Sequence, residues 1–376
     1  MADAPQYRIW PPVALGLPLT AGLVVTSVVG DPVGLPVALR AIGLAFMAAF
    51  VVWNGWALVL MARARTASLP GGETARLLDR ALAGAQIESA LAPGINALKT
   101  FDPPLSALEG RRVASVARRG KQFVVRVEGP NDPLVLLIHL MSAGRLQLYD
   151  KHAGPRDRTS RLLLRMRLSG DIAEATGKAA STQAEGCKAA STQGGEWELR
   201  LREFGSKQAA WVKLLRAEEL DEDPALATLG PEAWPDPPAD LREILNAPRP
   251  LHTLLRDQRT IAGIGRSWVD EILWEAKLSP YKRGADLDAA ELATLREAIG
   301  MTLGRAIDHY EALVKLPIPD KLPMPLRIHR HEGEPCPRCG TTLESVHFES
   351  YVIAYCPTCQ TEGRTLKDRR LSKLLK

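Results

Sequence analysis

Cysteine is scarce in this chain. There are five in 376 residues, and four of them crowd into residues 336–359. Two disulfides built from those four would need an oxidising compartment; the clustering fits a reducing, cytosolic setting for the C-terminal part. A dominant charge of one sign is also missing. Forty-eight Lys and Arg against 43 Asp and Glu leave a net charge of +5 and a pI of about 8.9. That balance permits nucleic-acid binding without demanding it. Nor does the N-terminus carry a short basic region, one apolar run and a small-residue cleavage site, which excludes a signal peptide.

Two stretches lack charge altogether: the nineteen residues Pro12–Gly30 and the twenty-two residues Ala41–Ala62. Each is long enough to span a bilayer. Residues 1–66 therefore read as a hydrophobic, transmembrane helical hairpin, with a buried helical pair as the soluble alternative. Arg8 precedes it, and Arg63 and Arg65 follow. By the positive-inside rule both flanks and everything downstream face the cytoplasm, the hairpin anchoring the chain in an inner membrane through residues 12–62.

A short helical pattern follows from Leu77 to Gly84, and strand signals then take over. Gln122–Val127, Leu134–Leu140, Arg161–Leu168 and Glu196–Leu201 are short apolar or alternating runs separated by turn residues, which predicts a β-sandwich over residues 67–228. Gly177-Lys-Ala-Ala-Ser-Thr-Gln183 recurs ten residues later as Cys187-Lys-Ala-Ala-Ser-Thr-Gln193. It has no apolar face to bury, so residues of about 172–195 read as a disordered insertion. Trp234-Pro-Asp-Pro-Pro238 reads as a linker. Beyond it, in residues 239–316, the period becomes helical. Trp268, Ile272, Leu273 and Ala276 mark one helix. Leu292, Leu295, Ile299, Leu303, Ile307, Tyr310 and Leu313 mark a longer one, with Asp288 and Glu291 as a capping box. Ile261-Ala-Gly-Ile-Gly265 is a turn leading into a helix, where backbone N–H groups can grip a phosphate or merely reverse the chain.

Cys336-Pro-Arg-Cys339 and Cys356-Pro-Thr-Cys359 lie sixteen residues apart. Each pair can chelate from one tight turn, and a β-hairpin can join them, which predicts one structural Zn2+ within residues 326–362. Four thiolates close the shell and leave no position for a reactive water. Residues 363–376 form a basic tail.

Taken in order, these parts resemble the formamidopyrimidine-DNA glycosylase/endonuclease VIII family. The resemblance rests on Asn96–Leu105 and Ala117-Arg-Arg-Gly-Lys121. It continues through Leu254-Leu-Arg-Asp-Gln258, Ala262-Gly-Ile-Gly265 and Asp270-Glu-Ile-Leu273, and ends with Gly333–Gln360. It implies an α+β chain: a β-sandwich domain of the catalytic type, a helix–two-turn–helix domain and a zinc-finger β-hairpin. It implies a monomer acting on damaged double-stranded DNA. The activity would be base excision of oxidised bases, with nicking of abasic sites by β-elimination through a Schiff base. Lys121 matches a catalytic, phosphate-contacting lysine. Lys121, His252, Arg256, Gly263, Gly265, Arg266 and Met141 would contact DNA, Met141 near the void left by the flipped base.

The chain also departs from the pattern. The family's nucleophile is an N-terminal proline followed by glutamate, and this chain begins Met1-Ala2-Asp3. The echo is Leu69-Pro-Gly-Gly-Glu-Thr74, with Gly71 where glutamate is expected. Pro70 becomes a free amine only if the active chain starts at position 69. Tyr351 replaces a zinc-finger arginine associated with δ-elimination, and Arg266 replaces an asparagine. The alternative reading is a DNA-damage-binding zinc protein, or a chimeric gene product, that lacks the nucleophile.

Overall fold

In the computed structural model the described residues are 71–368, apart from 95, 130–131, 142, 154–156, 169–195, 205–207, 315–322 and 349–350. The chain divides into two compact units, Met1–Thr66 and Ala67–Lys376. The two uncharged stretches within residues 12–62, Pro70 and the repeat insertion lie outside the described residues. Among the described residues no helix is long and apolar enough to cross a membrane.

Helix α1 (Gly71–Leu82) opens the described chain. It begins six residues before the first apolar marker of the sequence pattern, because Gly71 to Ala75 carry no large apolar side chain. Strands β1 (Gln86–Leu91), β2 (Val113–Arg119), β3 (Gln122–Val127), β4 (Leu134–His139), β5 (Gly144–Tyr149), β6 (Ser160–Arg167), β7 (Glu196–Glu203) and β8 (Trp211–Arg216) follow. They form two antiparallel four-stranded sheets, β1-β6-β7-β5 and β2-β3-β4-β8. Leu146, Leu148, Leu162, Leu164, Leu199 and Leu201 fill one inner face, and Phe123, Val125, Leu136, Ile138, Val212 and Leu214 fill the other. The first sheet keeps a period-two alternation, whereas β3 and β4 are buried on both faces, Val124, Val135 and Leu137 packing with Leu215, Leu220 and Leu226 on the outer side.

Short helices α2 (Pro224–Ala227) and α3 (Leu241–Leu245) lead to α4 (Leu251–Arg256), α5 (Arg266–Glu275) and α6 (Ala289–Leu313). Asp288 and Glu291 close both halves of the expected capping box. Trp234–Pro238 is pinned rather than loose: Arg296 donates to the carbonyls of Pro237 and Pro238, and Trp234 packs over Gly304 of α6. Strands β9 (Glu344–Phe348) and β10 (Tyr351–Tyr355) make a hairpin, and α7 (Pro357–Thr361) follows it.

The hairpin seats on the helical part through buried charge. Glu271 of α5 accepts the backbone N–H groups of Arg327, Ile328 and His329. Its neighbour Asp270, with no exposed surface, accepts the Ala354 N–H at 3.2 Å and lies 2.6 Å from His329 Nδ1. Buried carboxylates are tolerable only when their lone pairs are filled in this way.

Candidate nucleic-acid interface and catalytic site

Lys121 is the second residue of the two-residue β2–β3 turn. That turn needs Gly120, whose φ of +57° is a left-handed conformation, and a Cβ there would lie 3.0 Å from Leu229. Glu232, from the segment entering the helical part, clamps the turn. One carboxylate oxygen accepts the Gly120 N–H at 2.6 Å and Arg119 at 2.8 Å; the other pairs with Arg118 at 2.8 Å. Burial pushes Glu232 up, but Arg118, the Gly120 N–H and Arg119 outweigh it and hold the carboxyl below its usual range. Glu232 also bridges to Ala262. One residue therefore ties the lysine-bearing hairpin to the glycine turn.

Lys121 itself is held differently. Burial and the nearby Arg256 guanidinium lower its ammonium to a pKa of about 8. Among the described residues no carboxylate pairs with it. His139, at the end of β4, is lowered to about 4 by burial and by Lys121, so it is neutral. Its Nδ1 accepts the Met141 N–H at 2.9 Å, which leaves Nε2 as the donor, and its ring stacks on Trp211. Met141 is 42% exposed at φ +51°, a strained position for a non-glycine residue. An exposed, strained methionine held by His139 does not belong to the core.

The other expected contacts divide. Gly263, at φ +97°, lies close to Arg118, but its N–H is spent on Gln258 Oε1 at 3.0 Å. Gly265 begins α5 without a side-chain cap, and Arg266 is exposed in the first turn. That helix start keeps N–H groups for an anion, where Gly263 does not. His252, expected at the DNA surface, is interior instead. Its Nε2 lies 3.2 Å from Asp270 Oδ1 and its ring stacks on Tyr351. The buried Asp270 carboxylate requires that partner: burial alone would raise it, and hydrogen bonding from His252 and His329 holds it low. Arg256, one turn along α4, is half-buried with its guanidinium 3.8 Å above the Tyr351 ring.

Three functional candidates escaped the sequence pattern: Glu232, His139 and Glu73. Glu73 lies in the first turn of α1, two residues after Gly71. It is 3% exposed, and burial raises its carboxyl to about 7. Near pH 7 such a carboxyl is divided between its protonated and ionised forms.

The four cysteines converge as the spacing predicts. Their Sγ atoms lie within 4.8 Å of one another; Cys339 is 3.5 Å from both Cys356 and Cys359, and Cys336 is 4.0 Å from Cys359. A tetrahedron of thiolates about 2.3 Å from zinc requires edges near 3.8 Å, so the cage fits the ion. Trp274 Nε1 donates to Cys336 Sγ at 3.4 Å, joining the cage to α5.

Comparison with known proteins follows this division. Residues 72–179 match the formamidopyrimidine-DNA glycosylase N-terminal domain, residues 230–316 its H2TH domain and residues 333–361 the zinc finger found in FPG and IleRS. The chain is 40% identical over 155 residues to an uncharacterized formamidopyrimidine-DNA glycosylase-like protein of Mycobacterium tuberculosis, covering 41% of this chain and 98% of that one. It belongs to the formamidopyrimidine-DNA glycosylase family. Identity to the formamidopyrimidine-DNA glycosylase of Geobacillus kaustophilus is 33% over 178 residues, covering 45% of this chain and 63% of the relative. For that of Bacillus cereus it is 26% over 297 residues, covering 76% and 95%. The fold is shared with Lactococcus lactis Fpg in a complex with abasic-site DNA, at a TM-score of 0.62 and 20% identity over 79% of this chain and 99% of that one. The family zinc finger and the thiolate cage together establish one structural Zn2+.

Proposed function

We propose that the protein is a base-excision-repair DNA glycosylase for oxidised bases that also nicks abasic sites. Family membership supports the class of reaction. The observation that carries the chemistry is Lys121: an amine lowered to about 8, with no carboxylate partner among the described residues. At neutral pH a useful fraction of such an amine is unprotonated. Unprotonated Nζ adds to the C1′ aldehyde of an abasic site, and loss of water leaves an iminium. Solvent water takes a C2′ proton, the electron pair of that C–H bond forms the C2′=C3′ double bond, and the C3′–O bond breaks to release the 3′ phosphate. Neutral His139 donates from Nε2 to the phosphate, and Met141 fills the vacated stack. The amine of Pro70, in a chain starting at position 69, is the other nucleophile compatible with this reading. Gly71, standing where the family has glutamate, supports a second reading as a lesion binder without catalysis. Action as a monomer, and membrane attachment through residues 12–62, complete the proposal; the second rests on the uncharged length of that stretch.

The deciding experiment incubates the full chain with abasic duplex and borohydride, then maps the adduct by mass spectrometry. A cross-link on Lys121 or Pro70 supports the lyase. Tight binding with neither adduct nor nick overturns it in favour of the binder.

A further inference from the structure

Arg256 ends α4 and Tyr351 begins β10, so the zinc hairpin places an aromatic ring under an arginine that another element carries. Cζ stands 3.8 Å from the ring centroid, well inside cation–π range. The same ring lies 5.3 Å from that of His252, at an interplanar angle of 19°, and His252 is fixed by buried Asp270. The guanidinium therefore rests on a stack anchored in the interior.

Several other arginines are neutralised. Arg118 and Arg119 pair with Glu232, Arg249 with Asp257, and Arg327 with Glu275. Among the described residues the Arg256 guanidinium has no such partner, and neither has Lys121. Yet the two cations are close enough to repel. One stands on the sandwich hairpin, the other on the helical part. Two like charges brought near one another from different elements, neither paired with a carboxylate among the described residues, make a site for an anion that relieves their repulsion.

We propose that Arg256, seated on Tyr351, closes with Lys121 on a single phosphodiester of the bound strand, the zinc hairpin steering a guanidinium it does not itself carry. This rests on the DNA reading above. Arg256 is the contacting residue; Tyr351 is a positioning residue.

The test is fluorescence anisotropy of the full chain on a duplex carrying a tetrahydrofuran abasic analogue, across a salt series. R256A and R256Q should weaken binding roughly ten- to hundredfold. They should also reduce the slope of log affinity against log salt by about 0.9, the loss of one phosphate contact. R256K should keep the slope while losing affinity, because a lysine retains the charge without the planar fork. Y351L should weaken binding in the parent protein and add little in the R256A background, with zinc content unchanged in each variant. Parent protein that binds, with R256A and R256Q retaining both affinity and slope, overturns the clamp alone. Additive effects of Y351L and R256A overturn the positioning role. Parent protein that binds no duplex overturns the DNA reading and the clamp with it.

Discussion

Glu232 accepts the backbone N–H of Gly120 at 2.6 Å. That bond crosses from the helical part to the β-sandwich and sets where Lys121 stands. Replacing Glu232 by alanine removes it along with the ion pairs to Arg118 and Arg119, leaving a half-buried guanidinium unpaired. The expected cost is about 2–3 kcal/mol in urea unfolding. Because the Glu232 carboxyl is held below its ordinary range, its contribution is present at neutral pH and is lost as pH falls through the folded value. An E232A protein unfolding within about 0.5 kcal/mol of the parent would remove the clamp from the account.

Glu73 works in the opposite direction. Its folded pKa of about 7 lies above the ordinary 4.5, so the folded state holds a proton that the unfolded state releases between those values. Stability falls as pH rises across that window. Glu73→Gln keeps the shape and removes the ionisation. The variant should melt higher than the parent at pH 8 and show a flatter profile between pH 5 and 7. Parallel melting curves for the two proteins would show that Glu73 is ionised in the fold without penalty.

Much of this arrangement was legible in the sequence where chemistry is local. The alternation in Arg161–Leu168 and Glu196–Leu201, the capping box at Asp288 and the paired Cys-x-x-Cys turns each state their structure within a few residues. Lys121 and Arg256 were singled out through motifs. Glu232 was not, because its meaning lies in a contact 112 residues away. His139 was hidden in a strand whose apolar pattern accounts for it fully. His252 was misplaced for another reason: it occupies a position often lysine in the family, and nothing local in the sequence shows that it packs against buried Asp270. Glu73 gave no signal, since a glutamate in a first helical turn is ordinary.

Lys121 predicts a pH profile for strand nicking. If its amine is the nucleophile, kcat/KM measured at limiting DNA rises with pH to a plateau, with a midpoint near 8. Lys121→Arg retains positive charge for phosphate contact and loses the attacking amine, so nicking should drop at least about a hundredfold with binding largely kept. Retention of nicking with an unchanged profile assigns the nucleophile to another amine, of which Pro70 is the first to check.

Removing zinc should act locally. Chelation with exchange into metal-free buffer is expected to loosen residues 333–361 to protease and to shift Trp274 emission, since its indole bonds Cys336. Far-ultraviolet β signal from the sandwich should persist while affinity for duplex falls more than about tenfold. Full affinity in protein shown to be metal-free would separate the hairpin from DNA binding.

Arg167 and Glu196 face each other across the last paired rung of β6 and β7, and the ten-residue repeat enters and leaves the sandwich between them. Both ends of the inserted segment are thus fixed at one rung, and the entropy of closing it changes only slowly with its length. Copies of the repeat can be added or deleted there without shifting the register of either sheet. That rung is consequently a natural grafting point, where a label or a second module can be carried at little cost to folding.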